Sequence, residues 1–377
     1  MRILNVNAYF DLEVGGGTAE RVFQTSRALV ALGVECAVLA TDAGLQDAPA
    51  RNDLEFAVHI LPCASKRYLL PLFQYRRVVD LVRKFDIVHL MNHWTVLNLL
   101  VAKAARSCSK PYVVCPAGAL PIYGRSKTLK QLYNWGGGQQ LVAGAAGHIA
   151  ISTNEIVQFG DYGVPSERIT LIPNGINPAD FEDADDQGFR ERFGLPSGPL
   201  ILFVGRLNHI KGPDLLLEAF AKLARRYPDH HLVFIGPDNG MQAVLKSMVR
   251  QEGLENRVHF LGYLGGRDKS QAYHAADFLA IPSRQEAMSI VALEAGACGT
   301  PVLLTDQCGF DVIERVGGGK VVPATVEGLG AGLETMCGAR ALLQEMGSVF
   351  YEFVLANYTW EITAQKYIDL SRRIIGR

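Results

Sequence analysis

Short apolar runs alternate with longer segments of helical periodicity along the chain, and they do so in two separate series. The first series of strand-like runs comprises Arg2–Asn7, Glu35–Ala40, Phe56–Leu61, Asp86–Leu90, Tyr112–Cys115 and His148–Ser152. The second series comprises Leu200–Val204, His231–Ile235, Val258–Leu261, Phe278–Ile281, Pro301–Leu304 and Lys320–Val322. Near-continuous apolar strands separated by helices indicate parallel sheets covered on both faces. The sequence therefore predicts an α/β protein with two doubly wound parallel-sheet domains.

The two series are separated by Leu171–Phe181, where prolines, an asparagine and a glycine interrupt both periodicities. A length of 377 residues also favours two domains over a single large core. We predict an amino-terminal domain over residues 1–175 and a carboxyl-terminal domain over residues 176–358. The remaining residues, 359–377, contain a predicted helix, Trp360–Ile375, with no strand partner in its own domain. We expect this helix to cross back to the first domain.

Composition and charge exclude several classes of protein. The 37 basic and 38 acidic residues give a net charge of -1, so the chain lacks the overall basic surplus of a nucleic-acid binder. Seven cysteines are scattered without a C-x-x-C pair, which favours a reduced, cytoplasmic protein. The amino terminus MRILNVNAYF lacks the apolar block of a signal peptide, and no apolar run is long enough for a transmembrane helix.

Two glutamates stand in the segment IPSRQEAMSIVALEAGACGTP, which follows a strand of the second series. Glu286 falls in a predicted turn, and Glu294 falls in a helix predicted to start near Met288. On a helix this separation is about 12 Å, so the carboxylates are expected to address two ends of one extended ligand. Ser289 lies near the helix start, where unpaired N–H groups and the helix dipole favour an anion such as a diphosphate. The alternative for Glu294 is a solvated helix acid, which its apolar neighbours disfavour.

The first strand of the second series is followed by VGRLNHIKG. Gly205 permits a close turn of the backbone. Arg206 offers a planar fork for phosphate oxygens, and Lys211 adds a point charge. Two basic residues after a strand are ordinarily surface residues, but ligands of open α/β sheets bind at the carboxyl ends of the strands. Both this pair and the Glu286 turn are predicted at that edge of the second domain.

A glycine run, EVGGGTAERV, contains Gly16 and Gly17 between the first strand and the first helix. Glu20 stands where a dinucleotide-binding motif has its third glycine, and the loop is too long for the tight turn of that motif. We expect a flexible loop beside a phosphate or a sugar. His89 and His93 are four residues apart, a spacing that would place both side chains on one face of a helix. Because His89 ends a strand instead, no metal site is predicted.

The stretch Lys66–Phe85 (KRYLLPLFQYRRVVDLVRKF) mixes basic residues with aromatic and aliphatic ones. Such a stretch can lie on an anionic membrane surface. The alternative is a covering helix of the first domain with solvated arginines. A second basic cluster, formed by Arg125, Lys127 and Lys130, could extend the same surface.

Together these motifs resemble those of the retaining glycosyltransferases of family 4 (glycosyl transferases group 1). GGGTAE, IPNG, VGRLNHIKG and PSRQEAMSIVALEAGACGTPV occur in the family's order over essentially the whole chain. The resemblance implies the GT-B fold, with two Rossmann-like domains facing a central cleft. The first domain would bind an acceptor, and the second would bind a nucleotide-diphosphate sugar such as a UDP- or GDP-sugar. It also implies that no cofactor and no metal are required.

The resemblance further assigns roles to individual residues. Arg206 and Lys211 would hold the donor diphosphate, and Glu286 would face the reaction centre, which makes these three the catalytic residues. Glu294 would bond the ribose hydroxyls. The implied donor-binding set is Gly16, Gly17, Gly205, Arg206, Lys211, Glu286, Met288, Ser289, Ile290 and Glu294.

The sequence departs from the family pattern at two places. The family's Glu-Gly-Phe-Gly is replaced by Glu286-Ala287-Met288-Ser289, and small residues still stand near the expected phosphate. In the segment CPAGAL, Ala117 stands where many relatives have a histidine that contacts the donor sugar. Either another group replaces that histidine, or the donor sugar lacks the partner hydroxyl.

The implied activity is retaining transfer of a sugar to a saccharide or lipid-linked saccharide in bacterial surface polysaccharide synthesis, lipopolysaccharide included. The implied location is the cytoplasm, peripheral to the inner face of the membrane. A nucleotide-sugar 2-epimerase of the same fold is the alternative, although no His/Asp/Glu set suited to acid–base work on a sugar ring is visible. A non-catalytic sugar-nucleotide-binding protein is disfavoured by the retained glutamates and cations.

Overall fold

A computed structural model describes residues 1–10, 12–43, 54–72, 74–122 and 127–376 of the chain. Contacts between Cα atoms divide the chain into two units. The first unit is Met1–Gly175 together with Trp360–Arg377, and the second unit is Ile176–Thr359. Phe73 and Arg125, which belong to the two basic stretches of the sequence, lie outside the described residues.

The first unit contains a seven-stranded parallel sheet and a short antiparallel hairpin. Its strands are β1 (Arg2–Val6), β2 (Glu35–Thr41), β3 (Ala57–Leu61), β4 (Cys63–Ser65), β5 (Leu70–Pro71), β6 (Ile87–Met91), β7 (Tyr112–Cys115), β8 (Gly147–Ala150) and β9 (Ile169–Leu171). The sheet order is β3-β2-β1-β6-β7-β8-β9, and β4 pairs with β5. Its helices are α1 (Leu12–Ala31), α2 (Tyr75–Val82), α3 (Val96–Ser107), α4 (Lys127–Tyr133), α5 (Gln139–Ala143), α6 (Thr153–Gly160) and, from the chain's end, α15 (Trp360–Ile375).

The second unit contains a six-stranded parallel sheet. Its strands are β10 (Leu200–Val204), β11 (His231–Ile235), β12 (Val258–Gly262), β13 (Phe278–Ile281), β14 (Val302–Thr305) and β15 (Gly319–Val322), in the order β12-β11-β10-β13-β14-β15. Its helices are α7 (Asp186–Arg192), α8 (Pro213–Leu223), α9 (Gln242–Gln251), α10 (Gly266–Ala275), α11 (Ile290–Ala297), α12 (Val312–Val316), α13 (Val326–Gly338) and α14 (Arg340–Asn357).

The apolar strand sequences explain why both sheets are covered on both faces. Every residue of β6 is buried, and four of the five residues of β10 are buried as well. In the first unit Val88 packs in one core with helix residues such as Val101. In the second unit Phe203 and Leu217 share a separate core. Strands buried on two faces suit a parallel sheet with helical layers above and below.

The strand order places a switch point in each sheet. In the first unit the chain runs outward from β1 to β3 and then returns to β6 on the other side of β1. In the second unit it runs from β10 to β12 and returns to β13. Loops that leave the two central strands of such a sheet diverge at their carboxyl ends, and ligands bind in the crevice between them. The loops after β10 and β13 are therefore the natural place for a site in the second unit.

The predicted fold class, two doubly wound parallel α/β domains, is confirmed. All twelve predicted strands are present; four have the predicted bounds, and the ends of the others differ by at most two residues. The strands β4, β5 and β9 were not predicted. The strand β9 ends at Leu171, the first residue of the segment whose prolines interrupt the pattern. The helix Trp360–Ile375 has the predicted bounds and packs within the first unit, where Ser371 Oγ lies 3.0 Å from His89 Nε2.

Two local predictions for the first unit were wrong. The glycine run is not a loop but part of α1, which is broken at Gly16 (φ +58°, ψ −151°) because glycine tolerates that backbone conformation. The stretch Lys66–Phe85 is not one helix, since it begins with a turn and β5 and only then forms α2. The apolar side of α2 is buried through Val78, Leu81 and Val82, so the covering-helix interpretation holds for this part. None of the helices in the described ranges combines the length and apolar character needed to cross a bilayer.

Candidate functional site

The loop after β10 carries the predicted phosphate-binding cations. Asn208 caps the short helical turn His209–Lys211 by accepting a hydrogen bond from the Lys211 N–H at 3.0 Å. Gly212 follows with φ +67°, and a Cβ atom there would overlap the carbonyl oxygen of Pro282. Only glycine lets the two loops approach this closely. The β10 loop is thus locked against the β13 loop at the switch point.

The same contact brings Lys211 and Glu286 together. Lys211 Nζ lies 2.8 Å from Glu286 Oε1, and the two side chains are 24% and 13% exposed. Ser283 Oγ donates to Glu286 Oε2 at 3.0 Å, and the Glu286 N–H donates to the carbonyl of Gln307 at 2.9 Å. These bonds fix the carboxylate at the carboxyl edge of the sheet. Arg206, on the same loop as Lys211, is exposed, and no ion pair of the described residues includes it.

A bidentate ion pair that the sequence analysis missed braces the two loops. Arg284 donates to both oxygens of Asp214 at 2.8 and 2.6 Å and to the carbonyl of His209 at 2.7 Å. Burial opposes ionisation of Asp214, but the hydrogen bonds and charge of Arg284 outweigh it and lower the pKa of that carboxyl. The pair joins the start of α8 to the β13 loop. Because Arg284 bonds residues on both sides of Lys211 in the sequence, it also restrains the backbone at Lys211.

The helix α11 begins at Ile290, two residues later than predicted, with Ser289 as its N-cap residue. Ser289 Oγ is fully buried and has no hydrogen-bond partner among the described residues. An unpaired hydroxyl beside the free N–H groups of a first helical turn suits an anionic ligand. Met288 is buried before the helix, and Ile290 is half-buried at its start. Glu286 precedes the helix, so the distance of about 12 Å expected for this separation on a helix does not apply to Glu286 and Glu294.

Glu294 lies further along α11 and has partners of its own. Lys269 Nζ is 2.8 Å from its Oε1, and Tyr273 donates its hydroxyl to Oε2 at 2.6 Å. Glu294 is buried, so the solvated-acid interpretation is wrong. The sequence analysis named neither Lys269 nor Tyr273, and only their four-residue spacing on α10 hints at a shared face. The two glutamates are therefore held by separate sets of residues.

Gly16 and Gly17 belong to the first unit, whose sheet has a carboxyl edge of a different character. Ala117 follows β7 with φ +53°, an uncommon conformation for a residue other than glycine. The carboxylate of Glu155 accepts hydrogen bonds from the N–H groups of Gly118 at 2.6 Å and Ile151 at 2.8 Å. Burial raises the pKa of Glu155, and the two hydrogen bonds oppose that effect. This buried carboxylate, which the sequence analysis also missed, fixes the turn that contains Ala117.

Aromatic rings surround the end of β6 in the first unit. His93 packs against the rings of Trp94, Tyr133 and Tyr162 at centroid distances of 4.4 to 5.3 Å. Its Nε2 lies 3.0 Å from Asn134 Oδ1, and burial lowers the pKa of His93 to about 4. His93 is thus an uncharged ring in an aromatic cluster. Across the described residues no group of three or more His, Cys, Asp and Glu side chains is arranged to hold a metal ion.

Comparison with known proteins gives consistent matches for both units. Residues 185–347 match the model of the family described as glycosyl transferases group 1, and residues 16–175 match the glycosyl transferase 4-like domain. A D-inositol 3-phosphate glycosyltransferase of Frankia alni is 30% identical over 319 residues, which cover 76% of this chain and 77% of the relative. For other relatives of that description the chain spans about half of their length, 54% and 56% in two cases.

Solved structures resemble the chain over nearly its full length. The Anabaena protein Alr3699/HepE, crystallised with UDP, has a TM-score of 0.81 at 20% identity, with 98% of this chain and 99% of that chain covered. WaaG, a glycosyltransferase involved in lipopolysaccharide biosynthesis, has a TM-score of 0.70 at 21% identity, with 100% of both chains covered. At this level of identity the two structures support the fold.

Proposed function

Because the chain belongs to the group 1 glycosyltransferases, we propose that it transfers a sugar from a nucleotide-diphosphate sugar to a saccharide or lipid-linked saccharide. The observation that carries this proposal is the carboxyl edge of the second sheet. There the Lys211–Glu286 ion pair is locked between two loops, and the buried Ser289 hydroxyl has no partner among the described residues. The reported relatives are described as glycosyltransferases, and they give no support to the epimerase alternative.

The departing diphosphate would be stabilised by positive charge and by N–H groups of the second unit. Arg206 and Lys211 supply two cations, and the first turn of α11 supplies oriented N–H groups. Donors aimed at the charge that develops in the transition state are the largest single source of rate enhancement in many enzymes. We therefore propose that transfer does not require a metal ion. Glu286 would face the sugar ring and Glu294 the ribose.

We propose that transfer retains the anomeric configuration. An acceptor hydroxyl held by the first unit would attack the anomeric carbon from the face that the diphosphate leaves. The bond between that carbon and the phosphate oxygen breaks, the new glycosidic bond forms, and the leaving phosphate accepts the proton of the hydroxyl. No covalent nucleophile is assigned, because Glu286, the carboxylate proposed to face the sugar, is already paired with Lys211.

UDP- and GDP-sugars are the proposed donors, and one structural relative was crystallised with UDP. The test is a melting-temperature screen with UDP, GDP and ADP, followed by transfer assays with the corresponding sugars. A ligand present at 100 times its Kd stabilises the folded state by about 2.7 kcal/mol. NMR of the product reports the anomeric configuration, and a parallel assay in EDTA reports the metal requirement. Inversion of the sugar at C2 without acceptor, or the absence of any nucleotide binding, would contradict the proposal.

We further propose a lipid-linked acceptor and peripheral contact with the inner face of the membrane by a cytoplasmic protein. Support comes from Leu129, Leu132 and Trp135 in the first unit, which are 53%, 61% and 90% exposed. No acidic residue occurs in the sequence between Asp86 and Glu155. The stretch Lys66–Phe85 adds exposed basic residues to the same unit. Apolar side chains with surrounding positive charge are typical of a surface that binds anionic lipid.

Vesicle flotation tests this contact. The protein is expected to float with vesicles that contain anionic lipid and to remain unbound with zwitterionic ones. Replacing Leu132 and Trp135 together by Gln should abolish flotation. Val157→Gln is the matched control, since Val157 is 77% exposed elsewhere in the first unit. Equal flotation of the double variant and the control would contradict this part of the proposal.

A further inference from the structure

One face of α10 (Gly266–Ala275) is directed at a single carboxylate of α11. Lys269 and Tyr273 are four residues apart and therefore lie on the same face of the helix. Lys269 Nζ lies 2.8 Å from Glu294 Oε1, and the Tyr273 hydroxyl lies 2.6 Å from Oε2. Each carboxylate oxygen thus has one donor from α10.

Glu294 has few alternatives to these donors. Its side chain is 9% exposed, and its neighbours on α11 are buried alanines, a glycine and Leu293. A carboxylate in such surroundings is costly unless it is paired and hydrogen-bonded. Tyr273 is fully buried, and burial together with the charge of Glu294 raises its pKa well above the ordinary value. The phenol therefore stays protonated and donates.

The two donors are themselves fixed by their surroundings. The ammonium of Lys269 lies 5.7 Å from the centre of the Phe181 ring, and the Tyr273 ring packs 6.2 Å from the same ring. His274 Nε2 lies 2.9 Å from the Phe181 carbonyl, and Thr300 donates to the carbonyl of Tyr273 at 2.8 Å. The carboxylate plane is accordingly set by a packed network.

Counting acceptor positions indicates what this carboxylate can still bind. An ionised carboxylate has about four lone-pair positions, two on each oxygen. Lys269 takes one position on Oε1, and Tyr273 takes one on Oε2. Among the residues that the structure describes, no other donor takes up the remaining position on each oxygen. Two neighbouring hydroxyl groups that both donate, as in a cis-diol, match that pattern.

We propose that Lys269 and Tyr273 are positioning residues that make Glu294 a two-oxygen acceptor for the cis-diol of the nucleotide ribose, and that they thereby set a preference for ribonucleotides over 2′-deoxyribonucleotides. The inference rests on the proposed function, because it takes the ligand of this site to be a nucleoside diphosphate. It goes beyond the role of Glu294 itself, since it assigns the selectivity to two residues of another helix.

The experiment measures Kd for a ribonucleotide and its 2′-deoxy form by calorimetry. The probe is UDP, GDP or ADP, whichever raises the melting temperature most, paired with its own 2′-deoxy counterpart. The wild type should prefer the ribonucleotide by about tenfold or more, the scale of one hydrogen bond to a charged group. Lys269→Met should weaken ribonucleotide binding by about tenfold and leave the 2′-deoxy form within a few-fold, so the ratio falls toward one. Tyr273→Phe should change the ratio in the same direction.

Controls separate a positioning role from a structural one. Lys222→Met removes a helical lysine that is paired with Glu218 at 3.1 Å in the same unit, and it should leave the ratio unchanged. Lys269→Arg keeps the charge and should restore the preference, which also covers the case in which the Met variant does not fold. If Lys269→Met weakens both nucleotides equally, or if the wild type binds both equally, the inference is wrong while nucleotide binding stands. If the wild type binds none of the nucleotides, the proposed function fails first.

Discussion

The two sheets have the same strand order around their switch points. Their carboxyl edges differ in whether the charged side chains are accessible or buried. At the edge of the second unit, Lys211 and Glu286 form a partly accessible ion pair, and Arg206 is exposed on the same loop. At the edge of the first unit, the carboxylate of Glu155 is buried and accepts hydrogen bonds from two backbone N–H groups. Accessible charge can act on a ligand, whereas buried charge fixes the shape of the backbone. The same topology thus supports two kinds of edge. We call the edge of the second unit, with accessible charge, the charged edge, and that of the first unit, where a buried carboxylate fixes the backbone, the shaped edge.

The difference originates in the loops. The loops after β10 and β13 are joined by close backbone contact at Gly212 and by the Arg284–Asp214 ion pair. In the first unit the loop after β6 is filled by aromatic rings around His93. Such an edge has apolar faces and fixed backbone groups, the kind of lining that is common in small-molecule sites. The predictions below test this division of roles, beginning with the largest expected effect.

Removing either cation of the second unit should cause the largest loss. Arg206→Ala and Lys211→Ala are each expected to lower kcat for sugar transfer by about 10²–10³-fold, or about 2.7–4 kcal/mol, the scale of a lost oxyanion donor. The measurement is kcat at saturating donor and acceptor. Lys320→Ala is the control, because Lys320 forms an exposed ion pair with Glu314 in the same unit. Full activity in both variants would mean that the charged edge does not act on the leaving group.

The contact between the β10 and β13 loops should be the next most sensitive feature. Gly212→Ala adds a Cβ atom that overlaps the Pro282 carbonyl at φ +67°. We expect a loss of about 2–4 kcal/mol in the free energy of unfolding, from left-handed strain and overpacking together. Gly253→Ala has nearly the same φ of +65° but open space around the Cβ, so it should cost only the strain, about 1–2 kcal/mol. Equal losses in urea denaturation would show that the loop contact contributes nothing.

These residues show which parts of the site could be predicted from the sequence. Lys211 and Glu286 were predicted because each lies in the segment that directly follows an apolar strand. Parallel strands bring their carboxyl ends to the same edge of the sheet, where ligands bind. Lys269 was not predicted, because it meets Glu294 only through the packing of α10 on α11, 25 residues apart in sequence. Glu155 does carry a local signal, since Ser152 and Glu155 have the spacing of a capping box. That signal predicts a helix start, not a carboxylate that also reaches the Gly118 backbone.

The buried carboxylate of the first unit should matter for stability rather than for charge on a ligand. Glu155→Gln keeps one acceptor but leaves a buried N–H without a partner, so we expect a loss of about 1–3 kcal/mol at pH 5. Burial raises the pKa of Glu155 above the ordinary value of 4.5, so the folded protein binds this proton more tightly than the unfolded chain. Wild-type stability therefore decreases as pH rises from about 4.5 through the folded pKa, and the Gln variant lacks that decrease.

The difference in unfolding free energy between wild type and Glu155→Gln should accordingly shrink as pH rises. Urea denaturation at a series of pH values measures it. Glu167→Gln is the control, because Glu167 is exposed in the same unit and makes neither of these bonds. A difference that grows with pH would show that the ionised carboxylate is favoured in the folded protein. The first unit's edge would then be a charged edge like the second.

The smallest effect is expected at Ala117, where the shaped edge holds a residue other than glycine at φ +53°. Ala117→Gly removes a left-handed strain of about 1–2 kcal/mol, and the greater freedom of glycine in the unfolded chain offsets about 0.4–1 kcal/mol of that gain. We therefore expect a net stabilisation of up to about 1 kcal/mol by urea denaturation. Ala119→Gly, two residues along at a position without positive φ, should instead destabilise by about the entropic amount alone. If both variants lose the same stability, the backbone at Ala117 is unstrained, and Glu155 does not force its shape.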